Sequence, residues 1–231
     1  MSAYDPTETY RKRSFRNIPH QVRLKKIDRL LTKAVKDRKV SDFIDIGCAS
    51  GFITQRIKKL LNIESVVGTD ALEEYIVAAK KSYPGISFTI MDLNQSITSP
   101  RRYDLVTCFE TLEHVGNLET AIDNIYQSIS QNGIAVISVP IEVGVIGTIK
   151  YLLKVKVFGD KFNEIGPAHQ KSYFKSLLKG EDISKYRQVQ KELWWDHFGF
   201  NYKTIEKYLT RSGIKFEAST FFTTRFVTIF K

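Results

Sequence analysis

Between residues 40 and 140, apolar runs of strand length alternate with amphipathic helical segments, and this alternation constrains the fold more than any other feature. VSDFIDIG (40–47), SVVGTD (65–70), ISFTIMD (86–92), YDLVTCF (103–109) and GIAVISVP (133–140) read as five strands. The first is apolar enough for a buried strand. Helices are predicted between them: Ile53, Ile57, Leu60 and Leu61 share one face, Leu72, Tyr75, Ile76 and Ala79 mark a second, and Leu118, Ile122, Ile125 and Ile129 a third. The third is expected to stop at Asn132-Gly133, with glycine in the left-handed cap conformation. Strand, helix, strand in this order implies a parallel sheet with right-handed crossovers.

After residue 140 the pattern breaks. Residues 141–200 carry aromatics and lysines but few clear elements. A helix over Lys203–Ser212, closed by Gly213, follows, and then IKFEASTFF and FVTIF, separated by Thr-Thr-Arg. So short a gap predicts an antiparallel hairpin. The domain reading is a basic N-terminal arm and helix (1–38) and one α/β domain (39–231) with an insertion at about 141–200. The first sixteen residues are polar and expected to dock loosely.

Two cysteines in 231 residues are too few for a disulfide framework, and MSAYDPTETYRKRSFRN lacks the apolar core of a secretion signal; the expectation is a cytoplasmic protein. A net charge of +10, much of it in Arg11, Lys12, Arg13, Arg16, Arg23, Lys25, Lys26 and Arg29, favours anionic partners such as RNA, lipid head groups or a phosphorylated substrate, or else is a solvated surface.

Parallel sheets bind ligands beyond the carboxyl ends of their strands. The first strand ends in Asp45-Ile-Gly47-Cys48-Ala49-Ser-Gly51, where glycines allow a tight turn and close approach of the backbone to a ligand. The spacing is not G-x-G-x-x-G, and Asp45 would repel a pyrophosphate while attracting an ammonium group. Asp70 ends the second strand, placed to accept from ribose hydroxyls. Asp92 ends the third, where it could accept from an exocyclic amine while Leu93 covers a flat ring. Each acid alone could be a turn former or a cap; three at successive strand ends form a constellation.

At these residues the chain resembles the class I S-adenosylmethionine-dependent methyltransferases: FIDIGCASG, VVGTD, FTIMDLN, YDLVTCFETLEHV and QNGIAVISVP match their successive motifs, with an LEHV segment like that of the small-molecule branch. The resemblance covers about residues 40–140. It implies a Rossmann-like, seven-stranded, mostly parallel sheet with a C-terminal antiparallel hairpin and helices on both faces. It also implies S-adenosyl-L-methionine as cofactor, with Asp45, Gly47 and Gly51 at its methionine part, Asp70 at the ribose, and Asp92 and Leu93 at the adenine. Cys48, Ala49, Ala71 and Phe109 are counted as neighbouring cofactor-binding positions. The family's loop reads G-x-G-x-G, and Ala49 replaces its middle glycine; positive φ there would cost about 1 kcal/mol.

Methyl transfer from a sulfonium is a direct displacement, so positioning supplies much of the catalysis, and a base is needed only for an acceptor such as a hydroxyl. Candidate bases are Glu110, Glu113 and His114, with hydrogen bonding of the loop as the alternative role for the last two. CFET in place of an Asn/Asp-Pro-Pro-aromatic segment argues against transfer to the amino groups of bases. Cys48 and Cys108 read as small core residues, and the four scattered histidines match no zinc pattern, so no metal site is expected.

The expected activity is O-methylation of a small molecule; alternatives are an RNA methyltransferase or a non-catalytic S-adenosylmethionine-binding module. The insertion, with Tyr151, Phe158, Phe162, Tyr173, Phe174, Trp194, Trp195, Phe198, Phe200, His169 and His197, could line the acceptor pocket or pack its own small core. Within it VGVIGTIKYLLKVKVF is too short and charged to span a bilayer; it could lie on a membrane beside a lipid-linked substrate or be an ordinary helix.

Overall fold

The computed structural model describes residues 10, 17–97, 101–158, 167–186 and 199–231. Seven strands form one sheet: β1 (Asp42–Ile46), β2 (Ser65–Asp70), β3 (Ser87–Ile90), β4 (Tyr103–Phe109), β5 (Ile129–Pro140), β6 (Phe216–Phe221) and β7 (Thr224–Phe230). Their order is β3-β2-β1-β4-β5-β7-β6, all parallel except β7, which runs antiparallel to both its neighbours. The order reverses between β1 and β4, and Asp45 pairs with Gly68 on one side and Thr107 on the other.

Alternate residues of the central strands β1, β4 and β5 feed two cores. On one face Ile44, Ile46, Val106, Cys108, Ile137 and Val139 meet helices α4 (Leu118–Gln127) and α7 (Lys203–Arg211) through Ile122, Ile125, Ile205 and Leu209. On the other, Phe43, Leu105, Ile134 and Val136 meet α1 (Ile18–Ala34), α2 (Phe52–Leu61) and α3 (Glu73–Ser82) through Ile27, Leu31, Ile57, Ile76 and Ala79. Two covered faces explain why the strands read as unbroken apolar runs. Each such side chain contributes roughly 1.5–3 kcal/mol by leaving water.

α1 starts where Pro19 suits the first turn, and places Leu24, Ile27 and Leu31 on one buried stripe. Arg56 on α2 grips Asp28 on α1 with both ends of its guanidinium (3.0 and 2.5 Å), fixing α1 across the sheet. Asn117 Oδ1 caps α4 by accepting from the Thr120 amide at 3.1 Å.

Some sequence expectations shift. α4 ends at Gln127 rather than at Asn132-Gly133, and Ile129, expected on that helix, begins β5. Asn132, not Gly133, takes the left-handed conformation (φ 66°), in the irregularity where β5 slips its register against β4. Asparagine tolerates that backbone, so the turn signal belonged to a bulge. The hairpin turn is Phe222-Thr223, with Phe222 at φ 49°, one residue earlier than Thr-Thr-Arg. The insertion, which showed few elements by pattern, contains α5 (Gly144–Phe158) and α6 (Pro167–Lys179). Tyr173, Leu177, Ile183 and Val143 pack into a small core of their own there. Phe162, Trp194, Trp195, Phe198 and His197 lie outside the described residues, as do the side chains of Phe158 and His169 and, Tyr10 apart, the first sixteen residues. α5 leaves Val145, Ile149, Leu152 and Leu153 exposed, and no helix among the described residues is long and apolar enough to cross a membrane.

Candidate active site

The carboxyl ends of β1, β2 and β4 meet at the switch in strand order. Asp45, last but one in β1, is fully buried: Thr54 of α2 donates to its Oδ2 and Thr107 of β4 to its Oδ1, both at 2.6 Å. Burial pushes its pKa up to about 6, against those two hydrogen bonds. A buried carboxylate held by two neutral hydroxyls is where a cationic group brings the largest electrostatic gain.

The chain then turns through Gly47, Ala49 and Gly51, all at positive φ (75°, 45° and 80°). Gly47 is required twice over, because a Cβ there would lie 2.1 Å from Thr111 Oγ1. Ala49 thus adopts the costly backbone expected of a residue replacing glycine. It is held there by Asp70 at the tip of β2, whose Oδ2 accepts from the Ala49 amide (2.9 Å) while Oδ1 accepts from the Leu72 amide (3.0 Å). Burial raises the pKa of Asp70, and these amides oppose the rise. Ala71 beside it is exposed.

Asp92 lies just past β3. Its Oδ1 accepts from the backbone and side-chain nitrogens of Asn94 (2.9 and 2.8 Å), and Oδ2 takes a longer contact of 3.4 Å from Gln95. Leu93 is buried beside it, and Phe109 is buried at the end of β4. Asn94 Oδ1 accepts from the Gly116 and Asn117 amides (2.6 and 3.1 Å), and Asn124 Nδ2 reaches the Leu93 and Gln95 carbonyls (3.1 and 2.8 Å). The two asparagines lock the Asp92 loop to the start of α4.

After β4, Glu110 takes φ 50°, and its N–H donates to the Ser138 carbonyl at 2.8 Å. Ser138 Oγ donates to Oε1 (3.0 Å), and Arg23, reaching over from α1, pairs with Oε2 at 3.0 Å. Leu112–His114 form one 3₁₀ turn. Glu113 is completely buried; burial and the neighbouring Glu110 raise its pKa well above the ordinary value. Cys48 and Cys108 are buried thiols whose pKa burial pushes up, which removes them as nucleophiles. A groove lined by Lys33, Arg38, Lys39, Asp104 and Asn132 lies at the amino ends of β4 and β5, the edge of the sheet away from these groups.

Motif reading missed Thr54, Thr107, Asn94, Asn124 and Arg23. A threonine inside YDLVTCF was the available signal, since a buried hydroxyl needs a partner. Nothing in the pattern pointed Arg23 inward from a basic helix.

Sheet order, glycine turn and strand-tip acids together define the class I S-adenosylmethionine-dependent methyltransferase fold. The chain belongs to the methyltransferase-domain family, which it matches over residues 14–205. It is 32% identical over 122 residues to a ubiquinone biosynthesis O-methyltransferase of Rickettsia canadensis, covering 51% of this chain and 50% of that protein. Across the first curated relatives the matched part is 31–50% of their length. Among solved structures, the magnesium protoporphyrin IX methyltransferase of Synechocystis, with bound S-adenosylhomocysteine, superposes with a TM-score of 0.59 at 13% identity, covering 98% of this chain and 95% of that one. An S-adenosylmethionine-dependent methyltransferase of Mesorhizobium loti gives 0.56 at 17%, covering 86% of this chain and 96% of its own.

Proposed function

We propose that this protein transfers a methyl group from S-adenosylmethionine to a hydroxyl of a small-molecule acceptor. The observation that carries the reading is the buried Asp45, held between Thr54 and Thr107 at the switch point, with Asp70 and Asp92 at the neighbouring strand tips. These residues fit the cofactor: Asp45 and the Gly47–Gly51 turn would hold the cationic methionine part. Asp70, with Ala71 beside it, would accept from the ribose hydroxyls, and Asp92 and Leu93 would receive the adenine. Cys48 and Phe109, both buried beside these strand ends, would supply apolar surface to the site.

S-adenosylmethionine supplies a methyl group on sulfur, which leaves with the bonding pair retained by sulfur. The chain has to exclude water, hold the acceptor oxygen in line and take its proton. Glu110, Glu113 and His114 follow β4 and would lie on the acceptor side. Glu113 has no exposed surface, and Glu110 is engaged by Arg23 and Ser138. The ubiquinone-pathway relative supports a hydroxyl acceptor. Arg23, counted in the basic arm that suggested RNA, has its charge taken up by Glu110.

The test uses methyl-tritiated S-adenosylmethionine with separated polar-metabolite, lipid and RNA fractions of a host extract. Label is expected in a small molecule of the metabolite or lipid fraction, as an alkali-stable ether. Label confined to RNA or protein, or no transfer with intact cofactor binding, would refute the reading.

A further inference from the structure

α5 follows β5 after Ile141, Glu142 and Val143, so it stands at the carboxyl end of the sheet, the end that carries Asp45, Asp70 and Asp92. Val145, Ile149, Leu152 and Leu153 fall on one stripe of this helix, and they are 65, 53, 51 and 57% exposed. The side that packs on the protein is the less apolar one. Gly147 lies against Glu142, where a Cβ would come within 2.2 Å of the backbone. Thr148 is buried, and Tyr151 meets the Tyr173 ring of α6 at a centroid distance of 5.6 Å. A helix on a water-washed surface turns its apolar stripe inward. α5 turns it outward, where no described residue covers it, and an exposed stripe of this kind marks a docking surface.

The charge beside the stripe selects the occupant. Neither α5 nor α6 contains an acidic residue, and between them they carry Lys150, Lys154, Lys156, Lys171, Lys175 and Lys179. Lys150 is taken up by Glu142. Lys171, Lys175 and Lys179 form an exposed row along α6 with Leu178 among them, and only Lys179 reaches an acid among the described residues, Glu181 at 3.5 Å. Apolar side chains bordered by lysines match an anionic bilayer, whose acyl boundary receives the first and whose phosphates receive the second. A second copy is the poorer occupant. A two-fold contact sets the same patch against itself, which would bring two lysine rows together with no acid from either helix. No helix among the described residues is long and apolar enough to cross a membrane, so α5 would lie along the surface.

We infer that the Val145–Leu153 stripe of α5, with the lysine row of α6, docks this protein on an anionic phospholipid bilayer and holds the carboxyl end of the sheet towards the lipid. Docking of this kind does not depend on which acceptor is methylated.

Cosedimentation of the full chain with vesicles tests it, using phosphatidylcholine alone and an equal mixture of phosphatidylcholine and phosphatidylglycerol. The protein should pellet with the mixed vesicles, stay in solution with phosphatidylcholine, and be released by added salt. Ile149→Gln combined with Leu153→Gln, exposed positions where glutamine suits a helix, should weaken binding by about tenfold or more. Lys171→Gln, Lys175→Gln and Lys179→Gln should each weaken it about fivefold. Val77→Gln, an exposed apolar position on α3 outside the patch, should change nothing, and melting temperatures should stay level throughout. No binding to the mixed vesicles, equal binding to both compositions, or binding that survives both sets of variants overturns the inference. A dimer in sedimentation velocity that the Ile149→Gln and Leu153→Gln pair converts to monomer also overturns it, since a second copy would then cover the stripe. So does retention of RNA through the three lysines by a protein that ignores the vesicles.

Discussion

With Asp45 at the cationic end of the cofactor, as proposed, binding should depend on pH by an amount its burial sets. Its folded-state pKa is about 6, against an ordinary 3.8. Between those values the free folded protein holds a proton that the unfolded chain has released, so stability falls as pH rises through that window, by roughly 3 kcal/mol in total. A bound cofactor reverses the preference, because its ammonium favours the ionised carboxylate. Binding below pH 6 must therefore expel the proton. At pH 5 the free site is about ten to one protonated, so affinity should be about tenfold weaker than at pH 7, or roughly 1.4 kcal/mol. Calorimetric titration with S-adenosylhomocysteine, repeated in buffers of different ionisation enthalpy, reads both consequences. The dissociation constant should climb towards one decade per pH unit below 6, with close to one proton released at pH 5. Asp45→Asn should flatten the profile, weaken binding at pH 7 and remove the pH-dependent part of the stability. A flat profile in the unmodified protein, or the same slope in Asp45→Asn, would refute the assignment of Asp45 to a cationic ligand.

Asp70→Ala should weaken S-adenosylhomocysteine binding by about 1–3 kcal/mol by calorimetry, since it removes charged acceptors at the ribose position and frees the Ala49 amide; unchanged affinity would place the ribose elsewhere. Ala49→Gly should raise the urea unfolding free energy by up to about 1 kcal/mol, because relief of the φ 45° backbone outweighs the added freedom of the unfolded chain. Burial favours the uncharged form of Glu113, so Glu113→Gln, a neutral amide of the same shape, should leave tritium transfer at pH 7 within about twofold; a larger fall would show that the carboxyl ionises in the reaction.

The parallel sheet was legible because its central strands serve two cores. Phe43 and Ile44, or Leu105 and Val106, face opposite ways and both must be apolar, so the run itself announces a doubly covered strand. The three aspartates were legible because strand ends are fixed by the same pattern. Asn132 misled because left-handed asparagine serves helix ends and bulges alike, and only pairing with Tyr103 and Leu105 separates them. α5 was hard to read for another reason. With Val145, Ile149, Leu152 and Leu153 outward, its apolar residues do not mark the side that packs, so periodicity gave no inner face. Contacts between distant segments, such as Arg23 with Glu110 or Thr107 with Asp45, leave no periodic trace at all.

Backbone strain ties the cofactor side to the acceptor side. Ala49 and Glu110, at φ 45° and 50°, follow β1 and β4, the two strands that flank the switch point. Neither is a residue that favours the left-handed region, and each such position costs on the order of 1–3 kcal/mol. Both are held by specific bonds: Ala49 by the Asp70 carboxylate, Glu110 by Ser138 and by Arg23. The groups that restrain the backbone are thus the ones assigned to ligand contact, directly or through a neighbour. Gly47 packs on Thr111, the residue after Glu110, so neither turn can relax without moving the other. A shift in the first turn would thereby be felt at Glu110 and, through its pair with Arg23, at α1.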